Sequence, residues 1–203
     1  YDMNVNHLNH NGISILGIAC IYNSVKVIDF LIKECSMDLN HLDNNGNSIL
    51  GLACVNNSVN VIEYLIKECL MDLNHFNSDG RRILSIACAH NKSVNVIKFL
   101  IEECGWIGDT NYLDNNRYSA LSFACTNNDS VEVIEYLIKV CSMDTNYRDH
   151  DGNSILGLAC VINSVNVIKY LIKECSMDQN HLNNHGTSIL GLAANNNSVN
   201  VIR

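Results

Sequence analysis

The sequence repeats itself with a period near 34 residues, and this period constrains the fold more than any other feature. The segment LDNNGNSILGLACVNNSVNVIEYLIKEC, which starts at Leu42, returns almost unchanged as RDHDGNSILGLACVINSVNVIKYLIKEC from Arg148. Periods of about 20 to 50 residues are typical of proteins in which each unit packs mainly on its neighbours. The repeat predicts one array over residues 1–203, with units at approximately 7–40, 41–74, 75–111, 112–146, 147–180 and a partial 181–203.

Each unit predicts two short helices. Ser48 is a good N-cap for the apolar segment ILGLAC, because its hydroxyl can accept a hydrogen bond from a free amide of the first turn. Asn56 and Asn57 end that helix, since asparagine tolerates the left-handed conformation. Ser58 then caps VNVIEYLIKEC, whose apolar residues share one helical face. The residues predicted for that face are Val59, Ile62, Leu65 and Ile66.

Helices of about ten residues cannot bury both apolar faces alone, so each unit should be stable only when it is stacked on others. The sequence is 47% hydrophobic, which supplies enough apolar surface for such a core. The predicted fold is therefore an all-α helix-turn-helix solenoid with short β-hairpin fingers. Repeat arrays need polar terminal units, and neither end of this sequence has one, so we expect an internal piece of a longer chain.

The units resemble ankyrin repeats, whose pattern runs D-x-x-G-x-T-P-L-H-L-A-A and, after a turn, L-E-I-V-x-x-L-L. The array is also similar to ankyrin arrays from large DNA viruses of amoebae. The resemblance covers essentially the whole chain and implies a curved solenoid that binds other proteins through a concave face and its fingertips. The T-P-L-H corner departs from the pattern, because Ser48-Ile49-Leu50-Gly51 lacks the proline and the histidine. The residues of the second unit that correspond to the pattern are Asp43, Gly46, Ser48, Leu50, Leu52, Ala53, Cys54, Val59, Ile62, Leu65, Ile66, Met71, Asp72 and Asn74.

The ten cysteines occupy two repeating positions. Equivalent positions of stacked helices lie about 8 to 10 Å apart, beyond the roughly 7 Å limit between the Cα atoms of a disulfide. No C-x-x-C pair occurs, although structural zinc sites almost always contain one. We interpret these cysteines as small apolar core residues in a reducing compartment, and we predict no metal and no cofactor. The columns are Cys20, Cys54, Cys88, Cys125 and Cys160, and Cys35, Cys69, Cys104, Cys141 and Cys175.

Histidine recurs at the first position of the units, and two units have tyrosine there. A metal site would not accept tyrosine in this way, so we interpret the column as half-buried amphipathic side chains under the hairpins. A pH-sensitive ladder is the alternative, because imidazole titrates near neutral pH. The column consists of His7, His41, His75, Tyr112, Tyr147 and His181.

Charge and motifs exclude several functional classes. The net charge is −8 and the basic residues are scattered, which argues against nucleic acid as a partner. No apolar run is long enough to span a membrane, and the chain does not open with a secretion signal, so we predict a location inside the cell or host cell, or in a virion. No phosphate loop, G-x-S-x-G or H-E-x-x-H motif occurs, and we predict that the protein is not an enzyme.

The residues that break the repeat are the candidates for partner binding. Two fingertips carry substitutions, two turns are one residue longer than the others, and the one tryptophan lies in a lengthened connection. Trp, Tyr and Arg dominate the energetics of protein interfaces. We therefore predict a protein-binding scaffold or adaptor. A self-assembling structural component and the substrate-recognition arm of a ubiquitin-ligase-type complex are the alternatives. The candidate residues are Arg81, Arg82, His90, Lys92, Trp106, Arg117 and Tyr118.

Overall fold

The secondary structure consists of paired short helices, as seen in a computed structural model that describes residues 5–56, 58–104 and 108–202. Within these ranges β-type pairing is limited to isolated bridges at the base of the fingers, such as Leu42 with Ser48. The predicted all-α repeat fold is therefore confirmed. The helices are α1 Ile15–Ile21, α2 Val25–Lys33, α3 Ile49–Ala53, α4 Val59–Lys67, α5 Ile83–His90, α6 Asn95–Lys98, α7 Ala120–Asn127, α8 Val131–Lys139, α9 Ile155–Val161, α10 Val165–Lys173, α11 Ile189–Asn195 and α12 Val199–Ile202.

The helix boundaries follow the predicted capping residues. The Ser48 hydroxyl accepts a hydrogen bond from the Gly51 amide at 3.2 Å, and the Ser58 hydroxyl accepts one from the Val61 amide at 3.3 Å. The turns between paired helices use asparagine at positive φ, for example Asn23 at 63°. Local sequence rules therefore define where most helices begin and end.

The buried face of α4 agrees only in part with the prediction. Val61, Ile62 and Leu65 are fully buried, whereas Val59 and Ile66 are only half-buried. The second helix of a unit packs both on the first helix of its own unit and on the second helix of the preceding one. This double contact shifts the buried stripe towards Val61.

Consecutive first helices approach closely because glycine stands where the ankyrin pattern has histidine. A Cβ atom on Gly17 would lie 2.9 Å from Leu52 Cδ1, and one on Gly157 would lie 3.0 Å from Leu192 Cδ1. A leucine of the next unit thus occupies the space that a side chain would fill. The missing T-P-L-H corner is replaced by a serine cap and this leucine contact.

The chain divides into two compact units. The first unit comprises Tyr1–Ala87 and Asn95–Ile107, and the second comprises Cys88–Val94 and Gly108–Arg203. Each has its own core of fully buried side chains, including Leu50 and Ile62 in the first and Leu121 and Leu156 in the second. Among the described residues, no helix is both long and apolar enough to cross a lipid bilayer.

Candidate interaction surface

The fingertips are turns closed by one aspartate or asparagine in each unit. Asp43 Oδ1 accepts hydrogen bonds from the amides of Asn45 and Asn47 at 2.9 and 2.8 Å. Adjacent fingers are also joined directly, since the Ser78 amide donates to the Asn45 carbonyl at 2.9 Å. The fingertips are therefore ordered platforms for side chains, although they contain no continuous strand. The equivalent closing residues are Asn9, Asn77, Asp114, Asp149 and Asn183.

One fingertip, in the second compact unit, departs from the glycine rule. Five tips have glycine at φ between 71° and 77°, but Arg117 occupies this position at φ 62° and its side chain is exposed. Left-handed backbone is unfavourable for a residue with a Cβ atom, by about 1 to 2 kcal/mol. Tyr118 follows it, half-buried, with its ring centroid 5.5 Å from that of Phe123. The tip thus displays a guanidinium beside an anchored phenol.

The arginine pair of the first compact unit is partly engaged within its own finger. Arg82 stands where other units have the cap serine, and its guanidinium lies 4.8 Å from the centroid of the Phe76 ring. Phe76 in turn replaces the leucine of other units, so the two substitutions accompany each other. Arg81 Nη2 lies 3.4 Å from Asp79 Oδ2, and its side chain is 36% exposed. The Arg82 guanidinium thus packs on an aromatic ring, whereas the Arg81 side chain remains partly exposed.

The histidine column joins consecutive fingers. His41 Nε2 lies 2.7 Å from the Gly12 carbonyl oxygen, His75 Nε2 lies 2.8 Å from that of Gly46, and His181 Nε2 lies 2.7 Å from that of Gly152. At the equivalent position of the fifth unit, the Tyr147 hydroxyl donates to the Arg117 carbonyl. Tyrosine can replace histidine because each side chain places a hydrogen-bond donor next to the carbonyl oxygen of the preceding fingertip. Most of the column is half-buried as predicted, but His7 is exposed and Tyr147 is buried. The hydrogen bonds to the fingertip carbonyls were not predicted.

A family model for ankyrin repeats matches the chain in three copies, at residues 1–77, 68–149 and 121–203. The chain belongs to the ankyrin-repeat family. Ankyrin repeats are in general protein-interaction modules, and their fold is not a catalytic one. A comparison with curated protein sequences gives no significant match.

The histidine donors of this ankyrin array lead to a prediction with an internal control. We expect His75→Phe to lower the free energy of unfolding by about 1 to 2 kcal/mol, because the half-buried Gly46 carbonyl loses its hydrogen bond. His75→Tyr should be close to neutral, as Tyr147 fills the same place in its unit. Urea unfolding of both variants measures the difference. Equal losses in the two variants would mean that shape, and not the hydrogen bond, determines the column.

Two of the candidate residues flank the start of a lengthened turn that packs on the lengthened turn of the next repeat: His90 ends α5, and Lys92 lies in the turn. Both turns belong to the second compact unit. Asn128 Nδ2 donates to the carbonyls of Cys88, at 3.2 Å, and of Asn91. Lys92 Nζ lies 2.8 Å from Asp129 Oδ1, with both side chains mostly exposed. The two extra residues thus compensate each other within the ankyrin fold, and partner binding is not needed to explain them.

We expect Asn128→Ala to destabilise the protein by about 1 to 3 kcal/mol, because two buried carbonyls lose their donor. Asn127→Ala is the matched control, since Asn127 is exposed and adjacent. Differential scanning calorimetry of the two variants tests this. An equal melting temperature for both would contradict the structural role of the paired turns.

The two cysteine columns of the array differ in burial. The five residues of the first column are buried, as predicted for core residues, and the five of the second are half-buried. Burial raises the pKa of the Cys20 thiol to about 12 and that of the Cys160 thiol to about 11. It also raises the pKa of Cys54 and Cys125, each fully buried. A protonated, buried thiol is a poor nucleophile, so this column contributes packing to the ankyrin core.

Trp106 lies outside the residues that the structure describes. Within the described residues, no three His, Cys, Asp or Glu side chains are grouped so that they could hold a metal ion.

Proposed function

We propose that this ankyrin-repeat chain is a protein-binding scaffold or adaptor, not an enzyme, and that its substituted fingertips contact the partner. The observation that carries the proposal is Arg117, a non-glycine residue in left-handed backbone with an exposed side chain. Positions that break a local rule without a gain in stability are typical of functional sites.

The chemistry of the two fingertips supports this proposal separately in each compact unit. Arginine and tyrosine are the residue types most enriched among interface hot spots. Arg117 and Tyr118 combine a bidentate donor with an aromatic face that Phe123 fixes. Arg81 offers a second guanidinium on the first unit. Since the whole chain carries a net charge of −8, these local cations fit carboxylates on the partner.

Arg117→Gly separates binding from stability. The variant should stabilise the protein by about 1 kcal/mol, because it relieves the left-handed conformation. It should at the same time lower the recovery of partners in affinity purification from the native cell, measured by quantitative mass spectrometry. Asn116→Ala, which removes an exposed side chain next to Arg117, is the control and should leave recovery unchanged.

A charge-reversed variant, Arg81→Glu, tests the fingertip of the first unit in the same assay. Unchanged recovery in both Arg117→Gly and Arg81→Glu would overturn the fingertip proposal. Concentration-dependent sedimentation of the purified chain that disappears in these variants would assign the fingertips to self-assembly. Recovery of ubiquitin-ligase subunits would identify the array as a recognition arm.

A further inference from the structure

We propose that the first compact unit carries a second interaction surface, the cleft pair, which binds an extended segment of a partner protein with apolar and basic residues. The cleft pair comprises two equivalent clefts, one beneath Leu8 and one beneath Leu42. The inference rests on the proposed function in one respect only, that the chain binds other proteins.

The two clefts are built from the same positions of consecutive repeats. The first has a volume of about 200 Å³ and is lined by Leu8, Met37 and Asp38, with His41 at its end. The second has a volume of about 510 Å³, and its corresponding walls are Leu42, Met71, Asp72 and His75. Each cleft lies between the base of a finger and the turn that leads to the next unit. The same chemistry is therefore presented twice, one repeat apart.

The walls expose large apolar side chains to solvent. Leu8 is 42% exposed and Leu42 is 44% exposed. Leu70, at the rim of the second cleft, is 83% exposed and has a positive φ of 53°. Left-handed backbone is unfavourable for leucine. Contact with a partner would cover this apolar surface. The equivalent positions of other repeats carry serine, namely Ser36, Ser142 and Ser176.

The charge at the rims is negative. The Asp38 carboxylate accepts a hydrogen bond from the Asn40 amide, and that of Asp72 accepts one from the Asn74 amide, each at 2.8 Å. These bonds fix one oxygen of each exposed carboxylate. Among the described residues, neither aspartate forms a salt bridge. Lysine or arginine next to the apolar residues of the partner would complement both rims. The net charge of this protein, −8, also favours a basic partner segment.

The histidines at the ends of the clefts are already engaged. His41 and His75 direct Nε2 at the fingertip carbonyls of Gly12 and Gly46. They therefore close the clefts without offering that donor to a ligand, which leaves apolar contact and the two aspartates to select the partner.

The spacing of the clefts specifies the form of the partner. Stacked helices lie about 8 to 10 Å apart, and an extended chain advances about 3.3 Å per residue. Apolar residues at positions i and i+3 of an extended segment therefore match the two clefts. The smaller cleft suits an aliphatic side chain and the larger one an aromatic side chain. The second compact unit differs here, because Arg148 takes the place of Leu42.

Fluorescence anisotropy with two labelled probe peptides tests the proposal on the whole chain. The probes are Ser-Lys-Leu-Ser-Ser-Phe-Lys-Ser and Ser-Lys-Phe-Ser-Ser-Leu-Lys-Ser, which cover both chain directions. We expect saturable binding of at least one probe, and weaker binding at high salt. Replacing both lysines of the probe by glutamate, or both apolar residues by serine, should weaken binding roughly tenfold or more.

The protein variants place the probe in the clefts. Leu42→Ser and Leu70→Ser should each weaken binding several-fold. Leu182→Ser, an exposed leucine of the same column in the other compact unit, should leave binding unchanged. Absence of saturable binding up to about 1 mM for both probes, or equal binding by the glutamate probe or by Leu42→Ser, would overturn the cleft proposal. If partner recovery depends on Arg117, the fingertip proposal would still hold, whatever the probe peptides show about the clefts.

Discussion

We expect the free energy of unfolding to fall steeply as the pH rises from about 9 towards 11, in the presence of a thiol-free reductant. The cause is the buried cysteine column, where burial raises the pKa of Cys20 to about 12 and of Cys160 to about 11. In the unfolded chain these thiols ionise near the ordinary pKa of 9.0. The folded state keeps its protons while the unfolded state loses them, so the stability present below pH 9 is lost as the pH rises towards the folded pKa.

The expected effect is large because several thiols act together. Each buried thiol should remove about 1.4 kcal/mol per pH unit above pH 9. Cys54 and Cys125, whose pKa values are raised by complete burial, act in the same direction. Together these groups should remove several kcal/mol between pH 9 and 11, a large part of the stability of a typical domain. Urea unfolding at intervals between pH 7 and 11 measures the slope.

The matched variant replaces these cysteines by alanine. Ala194 occupies the same column in the sixth repeat, so the position accommodates alanine. The variant should be less stable at pH 7, because it loses buried sulfur atoms, but its stability should depend much less on pH above 9. An unchanged slope would show that other groups control alkaline unfolding, with the buried Tyr147, whose pKa is also raised, as the first to test. The four positions are Cys20, Cys54, Cys125 and Cys160.

The second large effect concerns the fingertip glycines. We expect Gly46→Ala to destabilise the protein by about 3 kcal/mol, the sum of left-handed strain and a steric clash. A Cβ atom on Gly46 would lie 2.8 Å from the Ser78 amide nitrogen, which donates to the Asn45 carbonyl of the neighbouring finger. Because the obstacle is backbone, the clash cannot be relieved by a side-chain rotation, and the bond between the fingers should be lost.

Gly186→Ala separates the two contributions. Gly186 has nearly the same φ, 71°, but no atom lies within 4 Å of its added Cβ, so only the strain of about 1 kcal/mol remains. Chemical denaturation of both variants gives the difference, which measures the contact between fingers. An equal loss of unfolding free energy in the two variants would show that the fingers can move apart with little loss of stability.

The helical framework could be predicted because its signals are local. Ser48 and Ser58 lie within three residues of the amides that they cap, and the left-handed turn residue Asn23 adjoins the helix that it ends. The burial of the first cysteine column also followed from its period. Such rules need no knowledge of which repeats touch.

The contacts between repeats could not be predicted in the same way. His75 is 29 residues from the Gly46 carbonyl that it contacts, and nothing near either residue encodes the pairing. The buried stripe of α4 includes Val61 instead of Val59, and α4 packs on two other helices, α3 and α2. Among the candidate residues, the side chains of Arg117, Arg81 and Lys92 all remain at least partly exposed. The ion pair of Lys92 with Asp129, thirty-seven residues further along the chain, is likewise a contact that local sequence does not encode.

The paired long turns bear on how such an array can change over evolution. In an array of identical repeats, a single repeat can be duplicated or deleted, because all contacts between neighbouring repeats are the same. The turn at Asn91 and Lys92 fits only a neighbour that brings Asn128 and Asp129. A recombination event that separated these two repeats would leave each long turn without its matching neighbour. We therefore expect the two repeats to be inherited and transferred together.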